Sequence, residues 1–544
     1  MNAHLLFPHR DFDQDESLRS MMCGYRDARQ ALEHQLSKHE RALIQDLELN
    51  VLFDSMANGD EFLFEVARKV ILAGSSNDVE TVRYRQQVLK DCLNNAEVLR
   101  SLYSVTVEAI EETRKMQWSV SNYEHPASVL YCAIEILEVL SGKLRKLRLI
   151  GEEHAVRFES KAFRALFTML QQELSDEYLA TIEGHLEEVK FRKGILLSAE
   201  LDSHNEGAEY TLRRSTKEEP GWLKRLFGKG PRDFTFYIAD GDQAGAEFLG
   251  DVRRRGIGRA STAIAQSGEH VLGFFRMLRT EVGFYQCCLN LYDRLVAQGS
   301  KACVPEPINA GKRKHQFCGL YDVCLAIQRS HCVVANTVNA DAKDFVLVTG
   351  ANQGGKSTFL RSIGVAQLMM QAGMFVAAEA FEAELCPAVF THYKREEDAA
   401  MKSGKLDEEL ARMSDIAERI APNAMILFNE SFAATNEREG SEIARQVVSA
   451  LLEKRIKIFY VTHLYTFAHR CWERFREQAL CLRAERDADG KRTFRMIEGE
   501  PLETSFGEDL YRQVFETARS EPSEERERAA LVQRSGRHVV TNFK

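Results

Sequence analysis

The stretch Phe345–Thr358, FVLVTGANQGGKST, decides how the rest of this chain is read. Phe345 to Val348 is a β-prone apolar run. It ends in a glycine-rich turn, and Gly350-x4-Gly355-Lys356-Ser357 then opens a run, Thr358 to Met370, with helical spacing. Strand, glycine turn and helix in that order predict a phosphate-binding loop. The glycines let the backbone close around an anion, successive N–H groups and the helix N-terminus point at phosphate oxygens, and Lys356 adds a point charge. Gly350, Asn352, Gly354, Gly355, Lys356, Ser357 and Thr358 are the expected nucleotide contacts, with Ser357 placed to ligate Mg²⁺.

Such a loop does not by itself distinguish a kinase from a GTPase or a motor, but two later motifs narrow the choice. Ala424 to Phe428 reads as a buried strand ending in Asn429-Glu430, where nucleotide hydrolases carry an acidic pair. The first member of that pair holds Mg²⁺ through water and the second polarises the attacking water. Asn429 offers a neutral oxygen and should hold the metal more weakly, while Glu430 keeps the carboxylate that a general base requires. Phe459 to Val461 is a further strand ending in Thr462-His463, which places an imidazole where it can sense a γ-phosphate. Strand-like and helix-like runs alternate from residue 331 to about 510, the pattern of an α/β unit with a largely parallel sheet.

The whole chain of 544 residues predicts about three or four domains. With 44% hydrophobic and 28% charged residues it has the composition of a soluble globular protein, and it contains no apolar run of membrane-spanning length. The polar, acidic start is not that of a secretory signal, so a cytoplasmic protein is expected. Twelve cysteines are scattered without a C-x-x-C pair, which points neither to a zinc site nor to a disulfide framework. The net charge of −9 provides no global attraction to nucleic acid, so any such contact must come from local basic patches.

Residues 1–46 read as a polar helical lead-in. From Leu47 the apolar residues recur at three and four, predicting short helices broken at Gly59 and Gly74-Ser75, then two long ones over Ala127–Leu147 and Ser160–Lys190. Between about residues 191 and 258 short β-prone runs replace the helical period. This stretch also carries much of the local positive charge, including Arg213, Arg214, Lys224, Arg225, Arg253, Arg254 and Arg255, with Trp222 and Phe227 among them. Basic residues interleaved with aromatics suit a phosphate backbone, because each phosphate neutralised releases counterion. A helical period resumes from Ala260, with Val271, Phe274, Phe275, Leu278, Val282 and Tyr285 on one face. The expected organisation is therefore a mainly helical unit over 47–330 with a β-rich insertion, an α/β nucleotide-binding unit over 331–515, and a charged tail over 516–544.

The nucleotide unit resembles the MutS family of DNA mismatch-repair ATPases, whose ATPase fold is similar to that of ABC transporters. The resemblance runs from Val333 to Phe506 through VVANTVNA, TGANQGGKSTFLR, QAGMFVAAE, VFTHYKREED, the Asn429-Glu430 strand, VTH and SFG. It continues more weakly from about Leu47, where the helices resemble the family's lever domain with its clamp insertion. The resemblance implies ATP and Mg²⁺ as cofactors, double-stranded DNA as partner, and a homodimer in which each site is completed by a signature segment of the second subunit. It places Val333, Val334 and Asn336 near the adenine, and Ser403 and Lys405 in the signature segment. Three departures are visible. Asn429 replaces the usual Asp, Ser403-Gly404-Lys405-Leu406 aligns with the signature Ser-Thr-Phe, and the residues before Leu47 are too few for the family's mismatch-reading and connector domains. The expected function is an ATP-switched DNA clamp with ATPase activity in repair or recombination. The alternative is an ATP-binding structural protein of little turnover acting on a protein or RNA partner.

Overall fold

In the computed structural model, residues 1–12, 36–76, 78–120, 126–192, 194–204, 207–213, 237–329, 333–395, 404–487 and 491–502 are described. The first 200 residues are dominated by helices: α1 Lys38–Asp46, α2 Leu49–Ala57, α3 Glu61–Leu72, α4 Val79–Asn94, α5 Ala96–Val120, α6 Pro126–His154, α7 Lys161–Glu173 and α8 Asp176–Val189. The breaks have chemical causes. Asp60, Asp78, Ser160 and Ser175 each stop one segment and cap the next, their side chains accepting backbone N–H groups of the first turn. The single helix expected over Ser160–Lys190 is thus two helices, divided at Leu174-Ser175.

A hairpin, β1 Leu196–Leu201 and β2 Gly207–Arg213, follows. Then comes α9, Gln243–Ala297, 55 residues long, which at about 1.5 Å per residue makes a rod of roughly 80 Å. It starts well before Ala260, with Asp242 accepting Gly245 N–H at 3.0 Å. Arg253, Arg254 and Arg255 therefore lie on this helix rather than in a β-rich stretch. The hairpin packs on it at Gly256, where an added Cβ would lie 2.5 Å from the Leu197 side chain. Arg214, Lys224, Arg225 and Ser403, and the tail over 516–544, lie outside the described residues.

The residues after α9 hold two sheets, the second of which draws two strands from before residue 331. One is six-stranded, in the order β12 (Arg492–Glu498), β11 (Ala479–Arg486), β6 (Phe345–Thr349), β10 (Lys457–Val461), β9 (Met425–Asn429), β8 (Val389–Tyr393). Its strands are parallel except β12, which pairs antiparallel to β11. The other sheet is β3 (Glu306–Ile308), β7 (Ala380–Glu384), β4 (His315–Leu320) and β5 (Asn336–Asn339). The remaining helices are α10 Val323–Arg329, α11 Lys356–Gln371, α12 Lys405–Ala417, α13 Glu437–Glu453 and α14 Tyr465–Arg474.

Strand alternation sorts the cores. Phe345 and Leu347 face one way with Ile426, Phe428, Ile458 and Tyr460 and are covered by residues of α13 and α14. Val346 and Val348 face the other way, into a core that runs without interruption through α11 into α2, α3 and the root of α9. The chain's first residues join those parts together. They are irregular rather than helical, with Ala3, Leu5, Leu6 and Phe12 buried. The Glu281 carboxylate on α9 accepts Leu5, Leu6 and Phe12 N–H groups, and Tyr285 donates to the Leu5 carbonyl at 2.7 Å. Arg85, fully buried, reaches the Leu6 carbonyl at 2.8 Å and, at 3.1 Å, the carbonyl of Ala372 at the end of α11.

Candidate nucleotide site

Parallel pairing brings Val348, Val461 and Asn429 side by side at the carboxyl ends of β6, β10 and β9. The three turns that follow these residues form one crevice, the place where open parallel sheets gather ligands. Gly350 takes φ +113°, and a Cβ there would fall 2.9 Å from Ala484 N, so only glycine fits. Gly355 is the N-cap of α11 at φ +88° and provides no side-chain cap, which leaves the first N–H groups of the helix aimed into the crevice. Together they form a concave donor surface suited to phosphate.

Lys356 is buried at the base of this surface, its ammonium donating to the Gly350 and Ala351 carbonyls at 2.9 Å each. Burial pushes its pKa down, with Glu430 pulling the other way and Arg492 adding to the depression. Ser357 Oγ donates to Asn429 Oδ1 at 3.0 Å. Glu430 follows in a left-handed conformation, φ +54°, fixed by its N–H bond to the Val461 carbonyl at 2.9 Å. His463 Nδ1 stands 3.9 Å from the Glu430 carboxylate, both side chains about one-third exposed.

The crevice widens into a cavity of about 470 Å³, enough for a nucleotide-sized molecule. Of the residues singled out in the sequence, Val333, Val334, Asn336, Gly354, Gly355, Lys356, Ser357, Thr358 and Glu430 line it. Gly350, Asn352, Asn429 and His463 do not line it, although Asn429 and His463 contact the lining residues Ser357 and Glu430. Asn336 has a structural bond as well, accepting Met496 N–H at 2.7 Å and so joining β5 to β12. Lys405 is the first residue of α12 and does not line the cavity.

Sequence reading missed several wall residues. Tyr321, Asp322, Leu325 and Arg329 come from the end of β4 and from α10, and Phe494, at φ +61°, comes from β12. Arg492 donates to Gln353 Oε1 at 3.0 Å and closes the loop from outside. No local motif marks these residues, because a second sheet and an edge strand more than a hundred residues downstream deliver them. Ser357 and Asn429 present adjacent hard oxygens beside the phosphate surface, the donor chemistry that suits Mg²⁺. Among the described residues no group of three or more His, Cys, Asp or Glu is placed to hold a metal unaided.

Of the basic residues singled out in the sequence, Arg213 donates to Ser198 Oγ at 2.9 Å. Arg254 and Arg255 both pair with Asp251, at 3.1 and 2.9 Å. No helix among the described residues is long and apolar enough to cross a membrane.

Comparison with known proteins gives two family matches, residues 77–298 to the MutS2 N-terminal domain and residues 346–516 to MutS domain V. The DNA mismatch repair protein MutS of Syntrophomonas wolfei subsp. wolfei is 30% identical over 164 residues, 30% of this chain and 19% of the relative. Endonuclease MutS2 of Thermus thermophilus is 30% identical over 132 residues, covering 24% and 18%. MutS protein homolog 4 of Homo sapiens is 27% identical over 151 residues, covering 28% and 16%. The matched segments thus span less than a fifth of the length of these curated relatives.

Proposed function

The chain belongs to the MutS family, and from that premise we propose that it is an ATP-hydrolysing, nucleotide-switched protein that binds double-stranded DNA as a homodimer in repair or recombination. The observation that carries the reading is the Ser357 to Asn429 hydrogen bond of 3.0 Å, one residue from Glu430 and over the uncapped N-terminus of α11. A hydrolysis site needs metal ligand, phosphate surface and base in that order.

In this reading the α11 N-terminus and Lys356 bind the phosphates, and the cavity walls at Val333, Val334 and Phe494 take the base. Ser357 and Asn429 would hold Mg²⁺, which when bound neutralises charge developing on the phosphate oxygens. Glu430 accepts the proton of the attacking water, and His463, 3.9 Å away, steadies that carboxylate and reads the γ-phosphate. Contacts made only to the γ-phosphate would favour a closed dimer, with Lys405 and its neighbours facing the second subunit's nucleotide. The long helix α9 then acts as a lever, and its hairpin tip, carrying Arg213 and Arg253, approaches DNA.

Pairing of Arg254 and Arg255 with a single Asp251 halves the net charge they bring to the tip, which favours the second reading, an ATP-binding protein that engages a protein or RNA partner. Two measurements separate the readings. The first compares ATP hydrolysis by wild type and Glu430→Gln; a fall of about 100-fold or more is expected, and equal rates would remove the assigned base. The second follows duplex affinity against salt. The clamp reading expects steep weakening with salt and loss of binding when Arg253, Arg254 and Arg255 become Glu, while salt-insensitive binding supports the rival.

A further inference from the structure

The turn that presents Glu430 is conformationally expensive, since both Glu430 (φ +54°) and Phe432 (φ +60°) sit in the left-handed region without being glycine. Such a turn persists only where its surroundings impose it. Ser431 and Phe432 are fully buried, and the Tyr460 hydroxyl donates to the Ser431 carbonyl at 3.0 Å. Two further ties come from α12. The buried Glu409 carboxylate accepts Phe432 N–H at 2.9 Å. His392 spans the same gap, with Nε2 2.9 Å from the Glu409 carbonyl and Nδ1 2.7 Å from Ser431 Oγ. A carbonyl only accepts, so Nε2 carries a proton toward Glu409, and the Ser431 hydroxyl in turn donates to the His392 carbonyl, tying the turn back to β8. The His392 ring also stacks on Phe432, with centroids 5.2 Å apart.

We propose that Glu409 is a positioning residue for hydrolysis: it fixes the backbone of the Glu430–Phe432 turn from α12, so that the seating of α12 sets where the Glu430 carboxylate stands. The inference rests on Glu430 being the base. Helix α12 starts at Lys405, inside the segment expected to meet the second subunit. A contact that shifts this helix is transmitted through the Glu409 carboxylate, and through His392, to the turn that carries the water-activating group, without passing through the phosphate loop. The main-chain N–H of Phe432 is not lost when Glu409 is shortened, but it is left buried and unpaired, and the turn can then relax.

The test measures steady-state ATP hydrolysis and equilibrium nucleotide binding for full-length wild type, Glu409→Ala and Glu409→Gln. Gln keeps an acceptor oxygen for Phe432 N–H. Glu409→Ala is expected to lower kcat on the order of 10- to 100-fold, the effect of a displaced catalytic group, while KM and nucleotide Kd stay within about twofold. Glu409→Gln is expected to recover most of kcat. Wild-type turnover in Glu409→Ala overturns the proposal, as does a joint loss of binding and turnover that Gln does not rescue, which is the signature of a purely structural role. A wild type that fails to hydrolyse ATP overturns the functional reading and this inference together, and that result is distinct from either of the others.

Discussion

The nucleotide site and the long helix α9 are built on opposite principles. Around the site the backbone takes positive φ at Gly350, Gly355, Glu430 and Phe432, costly at the last two, and hydrogen bonds of 3.0 and 2.9 Å fix the Ser357 hydroxyl and the Phe432 N–H. Helix α9 is regular throughout, and its surroundings vary instead. Its root from Leu278 to Leu289 is buried on every side, whereas near its start Phe248 is 69% and Leu249 57% exposed. The contrast teaches that the atoms of the site are placed by backbone turns that neighbouring elements impose, while the root of α9 is held by burial. Changes at the root should therefore act on stability, and changes in the site on turnover.

The largest effect that would break this division is at the root. Phe275→Ala, at a site with no exposure, is expected to destabilise by about 3–5 kcal/mol in urea unfolding, against under about 0.5 kcal/mol for Phe248→Ala near the tip. Equal costs would mean that the tip is packed as firmly as the root. Next comes pH. Burial pushes Glu281 up to about 7 despite the three N–H groups it accepts. The folded state thus holds this proton more tightly than the unfolded chain. Its contribution is fully present below about 4.5 and is lost as pH rises towards about 7, a difference on the order of 3 kcal/mol. Unfolding midpoints of wild type minus Glu281→Gln across that window should fall with rising pH; a flat difference would contradict the shift.

Within the site, Asn429→Asp replaces a neutral oxygen with a carboxylate beside Ser357 and should tighten the Mg²⁺ dependence of hydrolysis about tenfold, with unfolding unchanged. A change in stability without one in Mg²⁺ dependence would reverse the roles assigned to the two regions. The smallest effect is at the tip. Arg253→Ala should reduce the slope of log affinity for duplex against log salt by about one, and Arg254→Ala, which leaves Asp251 paired with Arg255 alone, by no less.

What the sequence disclosed follows the same line. The phosphate loop, the Asn429-Glu430 turn and His463 were legible because strand, turn and helix each leave a local signature, and parallel pairing then aligns them. Tyr321, Phe494 and Arg492 were not, since their places depend on which strand ends up beside which. The early part of α9 was read into a β-rich insertion, because the β-prone runs that precede it set the character assigned to the whole stretch up to about residue 258. The helix accepts Gly256 because the Leu197 side chain fills the space a Cβ would need. Likewise Ser175 was passed over as one polar residue in a helical period, although its side chain, accepting Tyr178 N–H at 3.2 Å, starts a new helix. The link from Glu409 to Phe432 spans 23 residues and joins a side chain to a main-chain N–H, a contact that residue types alone do not announce.

Equilibrium binding of ATP with Mg²⁺ to wild type and to Lys356→Ala tests the central claim most directly. Saturable uptake by the wild type, weakened on the order of 100-fold when the buried ammonium is removed while the fold is retained, is the predicted result. No uptake by the folded wild type, or equal affinity in the two proteins, would contradict it.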